Sequence, residues 1–534
     1  MVRGIFLLLP SLLSVVVHAN DWSEPCFGEC SYDISGSGVS GIVYISGSSS
    51  AVSDITTAGG WDILDCDSDS TAQDIRAICG SGNSTCDHLY EGGAIGTIVR
   101  LPENCTQMPF ARISDTWDHE DQSMPAEKRS RLFYRQGSAV VKGFSLDTNF
   151  SAIDPSQYGN VSFWVQGTSM PGASFASAST SGKRALHERS SFGWVQQSLN
   201  NISQFSKNVS ENVLPINVQK QGVLFNESIA CPAIGNIPPF AADIAVAIDA
   251  QVDATLQYGV AVSGTLVPPE MSEFGLFAGL SGSIDGTLIA NATAATTLST
   301  GIIPLLQVGI PVLDIPGILT IGPTFELNVE ATAMLDVDLN LAVGLNYNIS
   351  NAELYFPPSS NSATSGGIFM PGDTNVQLSA SPNVTSQTTL TAHLIPTVAF
   401  GINALSGVAQ ATVDLDLDAS VTLDLDLQAS MSSNTTGNTT GSAFGGSVNI
   451  TSEFDVNAGA DASFLAFFDK STTVTLFSKT FELFQENFGN AAAKRMARRA
   501  PRPLRRSSLT CPVVALETIE SIIDIEKAAS SLSG

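Results

Sequence analysis

The sequence predicts a mainly β protein with a disulfide-rich N-terminal β domain, followed by a larger antiparallel β-sandwich or barrel-like domain of long amphipathic strands. Two observations support this fold class. From Cys231 onward, apolar and polar residues alternate with a period of two over very long stretches, the pattern of a strand with one buried face. Before that point, six cysteines lie among short apolar runs that alternate with glycine and serine turns.

Residues 1–19 are predicted to be a signal peptide. A short basic start is followed by an apolar run at 5–17 and by the small residue Ala19 before the polar Asn20. About a dozen apolar residues are too few to span a bilayer, which needs about 20. The most apolar later stretch, 301–323, contains four prolines, which disfavour a spanning helix. We therefore expect a secreted protein, extracellular or in the cell wall, without a membrane anchor.

The charge balance excludes one class of partner. The chain carries a net charge of -27 and has a pI near 4.3. Such an acidic surface repels phosphate, so nucleic acid is not expected to bind.

Eight cysteines in a secretory context predict four disulfides. We expect three bridges within the N-terminal domain and a long-range bridge from Cys231 to Cys511. The six N-terminal cysteines are Cys26, Cys30, Cys66, Cys79, Cys86 and Cys105. Zinc is the disfavoured alternative, because an oxidising route pairs thiols and the motif spacing of zinc sites is missing. No metal or cofactor is expected.

Asn-x-Ser/Thr acceptor motifs predict heavy N-glycosylation of exposed loops and strand faces. The thirteen acceptors are Asn83, Asn104, Asn149, Asn160, Asn201, Asn208, Asn226, Asn291, Asn348, Asn383, Asn434, Asn438 and Asn449.

Changes in composition divide the mature chain into six segments. They are an N-terminal β domain (20–167), a flexible linker (168–192), a connecting segment with a short helix (193–230), the large β domain (231–490), an exposed basic segment (491–510) and a C-terminal helix tied back by a disulfide (511–534). The connecting helix would place Val195, Leu199, Ile202, Phe205 and Val209 on one face.

Three alternating runs, at 242–266, 325–349 and 413–429, define the large domain, and a weaker one follows at 448–468. Twenty-five extended residues would reach about 80 Å, well beyond a usual strand. Each run is therefore expected to be two strands joined by a tight turn, or one strand bent at a bulge. Gly259 and Gly344 are the candidate bends.

Aspartates recur on the polar side of the third run. They are Asp414, Asp416, Asp418, Asp424 and Asp426. A solvated sheet face is the favoured interpretation. Calcium is the alternative, but residues i and i+2 of a strand lie about 7 Å apart, and calcium needs six to eight converging oxygens.

Known catalytic signatures are missing, so the catalytic residues are not identified. The chain has neither G-x-S-x-G nor H-E-x-x-H. The run from Trp117 to Asp121, which reads Trp-Asp-His-Glu-Asp, is interpreted as a solvated turn, with cation binding or acid–base chemistry as the alternative. Paired carboxylates of a glycosidase stay open, because they need closeness in space and not in sequence.

Tryptophans could supply a stacking platform for glycans. All five, Trp22, Trp61, Trp117, Trp164 and Trp194, lie in the first 200 residues. Burial in the core is favoured for Trp61 and Trp164, which have apolar neighbours.

Dibasic pairs predict proteolytic processing after Arg184, Arg495, Arg499 or Arg506. Pro501 and Pro503 keep the second cluster extended and exposed. The alternative is a basic strap held on an acidic surface by long-range attraction.

Several stretches carry a resemblance: 59–66 (GGWDILDC), 73–79 (QDIRAIC), 86–89 (CDHL), 96–105 (GTIVRLPENC) and 311–323 (PVLDIPGILTIGP). With them the chain resembles a group of uncharacterised secreted fungal proteins, basidiomycete-like in character. Its later half is similar to a fungal extracellular β-rich domain of unknown function. The resemblance implies secretion and two domains, and it implies no activity.

These observations favour a secreted, N-glycosylated extracellular or cell-wall protein with a binding or structural role, whose candidate partners are cell-wall or extracellular glycans. One alternative is a carbohydrate-active or other hydrolase that uses dispersed carboxylates. Another is a carrier of apolar ligands, because the sheets have long one-sided apolar faces.

Overall fold

The structure is a computed structural model that describes only part of the chain. The described residues are 20, 22–36, 38–80, 83–105, 107–125, 140–170, 173, 175, 191–206, 214–232, 240–293, 296–335, 338–357, 366–372, 374–381, 386–433, 439–460, 473–488 and 523–529. The predicted signal peptide, the dibasic sites and Cys511 lie outside these residues.

Three β-sheets make up most of the described chain, and two of them contain the long strands. The first has ten described strands: β1 (Glu29–Gly36), β2 (Val39–Ser46), β9 (Val161–Thr168), β10 (Pro215–Cys231), β11 (Phe240–Val267), β12 (Pro269–Ala292), β17 (Asp338–Phe356), β18 (Gly366–Pro371), β19 (Thr374–Ser381) and β24 (Ile523–Ala529). The second has eight: β13 (Thr296–Ser299), β14 (Ile303–Gly309), β15 (Leu313–Ile315), β16 (Leu319–Leu335), β20 (Ser386–Ala404), β21 (Ala409–Ser433), β22 (Thr439–Ala460) and β23 (Thr473–Phe488).

The third sheet is small and belongs to the N-terminal part of the chain. Its six described strands are β3 (Val52–Asp54), β4 (Trp61–Asp65), β5 (Gln73–Cys79), β6 (Ile98–Arg100), β7 (Phe110–Asp118) and β8 (Val141–Asp147). The described α-helices are α1 (Asn83–Cys86), α2 (Pro155–Tyr158) and α3 (Ser191–Ser206). Short 3₁₀ turns cover Asp87–Tyr90, Glu103–Cys105, Phe150–Ala152 and Leu405–Gly407.

The two large sheets pack face to face over one shared apolar core. The alternation predicts this, since Ile248, Leu327 and Val421 lie on the apolar side of their runs and are all buried in that core. Aromatic side chains bridge the layers, with the rings of Tyr258 and Phe400 5.7 Å apart. The predicted fold class, with a disulfide-rich N-terminal part and a long-stranded antiparallel sandwich, is confirmed.

The prediction for the long runs, two strands joined by a turn or one strand bent at a bulge, holds for some runs only, and the bulge alternative fits 242–266, where the register shifts between Ser263 and Gly264. Residues 242–266 lie in the single strand β11, and residues 413–429 lie in the single strand β21. The run at 325–349 does divide, but its halves belong to β16 and β17 in different sheets. The alternation of apolar and polar residues indicates which face of a sheet each side chain occupies, but it does not indicate which other strand the segment pairs with. Strands β16 and β17 lie in opposite sheets, and each turns its apolar face to the shared core. The same alternation of apolar and polar residues therefore continues from β16 into β17, although the sheet changes.

Gly259 and Gly344 also differ from expectation, because neither marks a bend. Register shifts of β11 lie instead at 263–264 and 265–267, and those of β17 lie opposite 280–282 and at 350–353. Gly259 instead lies under helix α3, where an added Cβ would meet Ile202.

The aspartates of the third run lie on the outer face of the second sheet, as predicted, but they are half-buried rather than fully exposed. Polar residues lie opposite several of them on β20 and β22, such as Thr397 opposite Asp416 and Thr389 opposite Asp424. Thr397, for example, donates a 2.7 Å hydrogen bond to Asp416.

Helix α3 confirms the predicted amphipathic face. Val195, Leu199 and Ile202 are buried and Phe205 is partly buried against the outer face of the first sheet. The remaining predicted member, Val209, lies outside the described residues.

The N-terminal cysteines pair among themselves, as predicted. The bridges are Cys26–Cys30, Cys66–Cys105 and Cys79–Cys86. Cys231 is also disulfide-bonded, and its predicted bridge to Cys511 stays a prediction. Strand β9 of the N-terminal part pairs with residues 259–267 of β11, so one sheet continues across the expected boundary at residue 167.

The C-terminal helix expected within 511–534 is a wrong prediction where the structure describes that segment. Ile523–Ala529 form strand β24, which pairs with β19 at the edge of the first sheet. The open backbone groups of β19 offer hydrogen bonds that an isolated short helix would lack. No helix in the described part of the chain is both long and apolar enough to cross a membrane.

Candidate ligand-binding cleft

The structure brings two of the five tryptophans together. Trp22 and Trp61 line one cleft of about 410 Å³ between the N-terminal segment and the third sheet. Trp61 is only 3% exposed, as predicted. Trp164 is half-buried instead, because its neighbours Phe163 and Val165 occupy the inward face of β9.

Three chain segments build this cleft. Trp61 begins β4, Thr56 and Thr57 lie in the turn that precedes it, and the 3₁₀ turn Glu103–Cys105 forms the opposite rim. The Cys66–Cys105 disulfide ties that rim to the end of β4. A covalent link across the cleft limits how far its walls can separate.

Trp22 is held in place by a buried ion pair. The Arg100 guanidinium lies 4.9 Å from the Trp22 ring centroid, within cation–π range. Arg100 also donates a 2.6 Å bond to Asp54 and a 3.0 Å bond to the Glu24 carbonyl. Because the Arg100 and Asp54 side chains are 5% and 0% exposed, this pair forms a fixed base for the aromatic wall.

Thr56 gives the cleft an unsatisfied polar group. The residue is 3% exposed, and within the described residues its hydroxyl oxygen has no hydrogen-bond partner. A buried polar group left unpaired costs about 1–3 kcal/mol. A hydroxyl or amide of a bound ligand would remove that cost.

Carboxylates stand at the edge of the cleft. Asp62 is half-buried and Glu103 is exposed. Glu103 accepts a hydrogen bond from the Asn20 side chain. Nearby Asp33 is half-buried, and its pKa is raised by burial and then by the negative charge of Glu103.

The sequence did not single out Thr56, Asp62 or Glu103 as site residues. Each is a common residue type that no recognisable motif connects, and folding alone brings the three together. Asn104 was identified as a glycosylation acceptor, and it also lines the cleft.

Other candidate residues are used in local contacts. Of the turn predicted at 117–121, Trp117 and Asp118 instead end strand β7. In the segment that follows, His119 accepts a 3.0 Å bond from the Asp121 amide, and Asp121 forms a 3.2 Å ion pair with Arg76. The part of the segment after β7, with Glu120 and Asp121 exposed, is thus bonded to its own neighbours. Across the described residues, no group of three or more His, Cys, Asp or Glu side chains is arranged to hold a metal ion.

The outer face of the first sheet carries a second groove of about 440 Å³, lined mainly by polar residues together with Ala342 and Leu345. Asp249, Asp285, Asn346 and Gln377 contribute side chains to it, and Gly344 leaves room in its floor. Gln221 donates a 2.9 Å bond to Asp249. The groove has no aromatic wall, so it is a poorer match to an apolar ring face than the tryptophan cleft.

Comparison with known proteins gives a family match for part of the chain. Residues 243–489 match the family model "Domain of unknown function (DUF7223)". This stretch covers most of the long-stranded sandwich and leaves the third sheet and the tryptophan cleft outside it. No curated protein and no solved structure matches the chain.

Proposed function

We propose that this chain is a secreted, N-glycosylated extracellular or cell-wall protein of fungal type that binds a glycan in the tryptophan cleft. The three disulfides support an oxidising compartment. Exposure of most of the described acceptor asparagines supports glycosylation, whereas Asn449 is half-buried. The acceptors with exposed side chains are Asn104, Asn149, Asn160, Asn201, Asn226, Asn291 and Asn348.

The buried, unpaired hydroxyl of Thr56 beside two tryptophans carries the proposal. A pyranose ring has an apolar face that can stack on an indole, and hydroxyls at its edge that can bond to Thr56 and Asp62. The rigid mounting of Trp22 on Arg100 means that little ordering would be needed on binding.

Hydrolysis of a glycan is the second candidate. A general acid needs a carboxyl group whose surroundings favour its protonated form at the working pH. Asp62 is only half-buried and Glu103 is exposed, which favours binding over chemistry. An apolar-ligand carrier is less favoured, because the apolar faces of the long strands pack against each other.

An array of chitin, β-glucan and mannan oligosaccharides, probed with the mature protein, tests the proposal. Trp22→Ala should weaken binding of the best oligosaccharide about tenfold, a loss of about 1.4 kcal/mol. Thr56→Val keeps the shape and removes the hydroxyl, so it should weaken binding about fivefold without lowering stability. Trp194→Ala, on the remote helix α3, is the matched control.

Equal binding by Trp22→Ala and the unmodified protein would contradict the proposed site. Binding to none of the three polysaccharide classes would contradict the proposed ligand. Release of reducing sugar from any of them would favour the hydrolase instead.

A further inference from the structure

We propose that removal of the signal peptide creates a structural cation, the Asn20 α-ammonium, which pairs with the carboxylates of Asp33 and Glu103 at the rim of the cleft. This inference rests on the secretion part of the proposed function and not on glycan binding. It assigns a role to the new N-terminus itself.

The Asn20 side chain is hydrogen-bonded to Asp33 and Glu103. Its Oδ1 accepts a 2.6 Å bond from the Asp33 amide, and its Nδ2 donates a 3.2 Å bond to the Asp33 carbonyl. The same Nδ2 donates to the Glu103 carboxylate. These contacts fix the chain two residues before Trp22, at the point where cleavage is expected.

In the described part of the chain, the carboxylates of Asp33 and Glu103 have no cationic ion-pair partner. Asp33 is half-buried, and burial followed by the charge of Glu103 raises its pKa. The pKa of the neighbouring Tyr32 is raised as well, by burial and then by Glu103, although Arg100 acts in the opposite direction. No lysine or arginine in the described part of the chain forms an ion pair with Asp33 or Glu103. Within the described residues, therefore, Glu103 acts on Asp33 electrostatically while neither carboxylate has an ion-pair partner.

Cleavage would supply such a cation. Hydrolysis by a signal peptidase adds water across the Ala19–Asn20 peptide bond, so that Ala19 leaves with a carboxylate and Asn20 keeps the nitrogen. Near neutral pH that nitrogen binds a proton and becomes an ammonium group, whose ordinary pKa is about 7.7–8.0. Only four covalent bonds separate it from Nδ2, which contacts Glu103. Attraction to both carboxylates should therefore favour its charged form.

The test measures the N-terminus and its titration. Mature protein secreted by a eukaryotic host should begin at Asn20 by mass spectrometry. The pH dependence of reductive dimethylation, followed on the N-terminal peptide, gives the apparent pKa of the α-amine. It should lie at least half a unit higher in the folded protein than in guanidinium chloride, which lowers the reactive fraction about threefold. Glu103→Gln should remove most of this shift.

Glu120→Gln is the matched control, because Glu120 is an exposed carboxylate that does not line the cleft, and it should leave the shift unchanged. A mature terminus at another residue would overturn the inference. So would equal titration in the folded and unfolded protein, or an unchanged shift in Glu103→Gln. A shifted α-amine in a protein that binds no oligosaccharide would remove the proposed ligand and leave this inference standing.

Discussion

At the scale of single residues, the charged groups of this acidic chain differ widely in what they contribute. Arg100 and Asp54 form a buried pair, whereas Lys142 and Asp118 form a pair whose side chains are 35% and 69% exposed. A buried pair strongly destabilises the fold when one partner is removed, and an exposed pair contributes little because water screens it. The sequence shows all four residues but not which pair is buried.

Asp54→Asn should therefore lower the free energy of unfolding by about 3–5 kcal/mol, because it leaves the Arg100 charge buried without its partner. Asp118→Asn, which breaks the exposed pair, should cost less than about 1 kcal/mol. Urea unfolding followed by tryptophan fluorescence measures both. Equal losses in the two variants would contradict the importance of the buried pair.

His393 makes stability depend on pH. Its Nδ1 lies 2.9 Å from the Asp418 carboxylate. Burial lowers the pKa of His393, but the hydrogen bond and charge of Asp418, with the charges of Glu330 and Glu453, outweigh burial and raise it. A raised pKa in the folded state stabilises the fold below the unfolded value of about 6.5, and this contribution is lost as pH rises through the folded value.

We expect the free energy of unfolding to fall more steeply between pH 6 and about pH 8 in the unmodified protein than in His393→Gln. Burial also raises the pKa of Asp416, and the charges of Asp418 and Glu326 add to this effect. The contribution of Asp416 to stability is likewise lost as pH rises, but at lower pH than that of His393. Urea titrations at several pH values compare the two proteins, and parallel curves above pH 6 would refute a role for His393.

At the scale of elements, glycines explain how helix α3 lies on the first sheet. Gly259 in β11 and Gly275 in β12 lie beneath the helix. Ile202 packs over Gly259, and Val195 and Leu199 pack over Gly275. The sequence predicts the amphipathic helix, but it suggests a bend at Gly259. Glycine in a strand is consistent with a bend, a bulge or close packing, and only the folded neighbour decides among them.

Gly275→Ala should destabilise the protein by about 1–3 kcal/mol, because the new methyl would lie 2.6 Å from Val195 and 2.7 Å from Leu199. Gly309→Ala is the matched control, since an added Cβ there meets nothing within 4 Å. Thermal unfolding followed by circular dichroism measures the loss. A melting temperature that falls no more than in the control would contradict this packing.

At the scale of the whole molecule, alternation predicts the faces of the long strands and leaves their partners open. Ile248, Leu327 and Val421 are buried, as their place in the alternating pattern indicates. The run at 325–349 passes from one sheet to the other, and nothing in its alternation marks that change. For the cleft, too, the sequence indicates candidate residues but not which of them meet. Trp22 and Trp61 were recognisable as aromatic candidates, but their meeting with Thr56 depends on a buried ion pair and a disulfide that join distant segments.

The C-terminal part should be held to the sandwich covalently as well as through β24. Three bridges use all six N-terminal cysteines, and Cys231 is disulfide-bonded and buried. Only Cys511 remains of the eight. Non-reducing peptide mapping should therefore recover Cys231 linked to Cys511. After limited trypsin digestion at the basic segment, denaturant should then release the fragment from residue 507 onward only if the disulfides are also reduced. Release without a reductant, or a link from Cys231 to any earlier cysteine, would exclude this bridge.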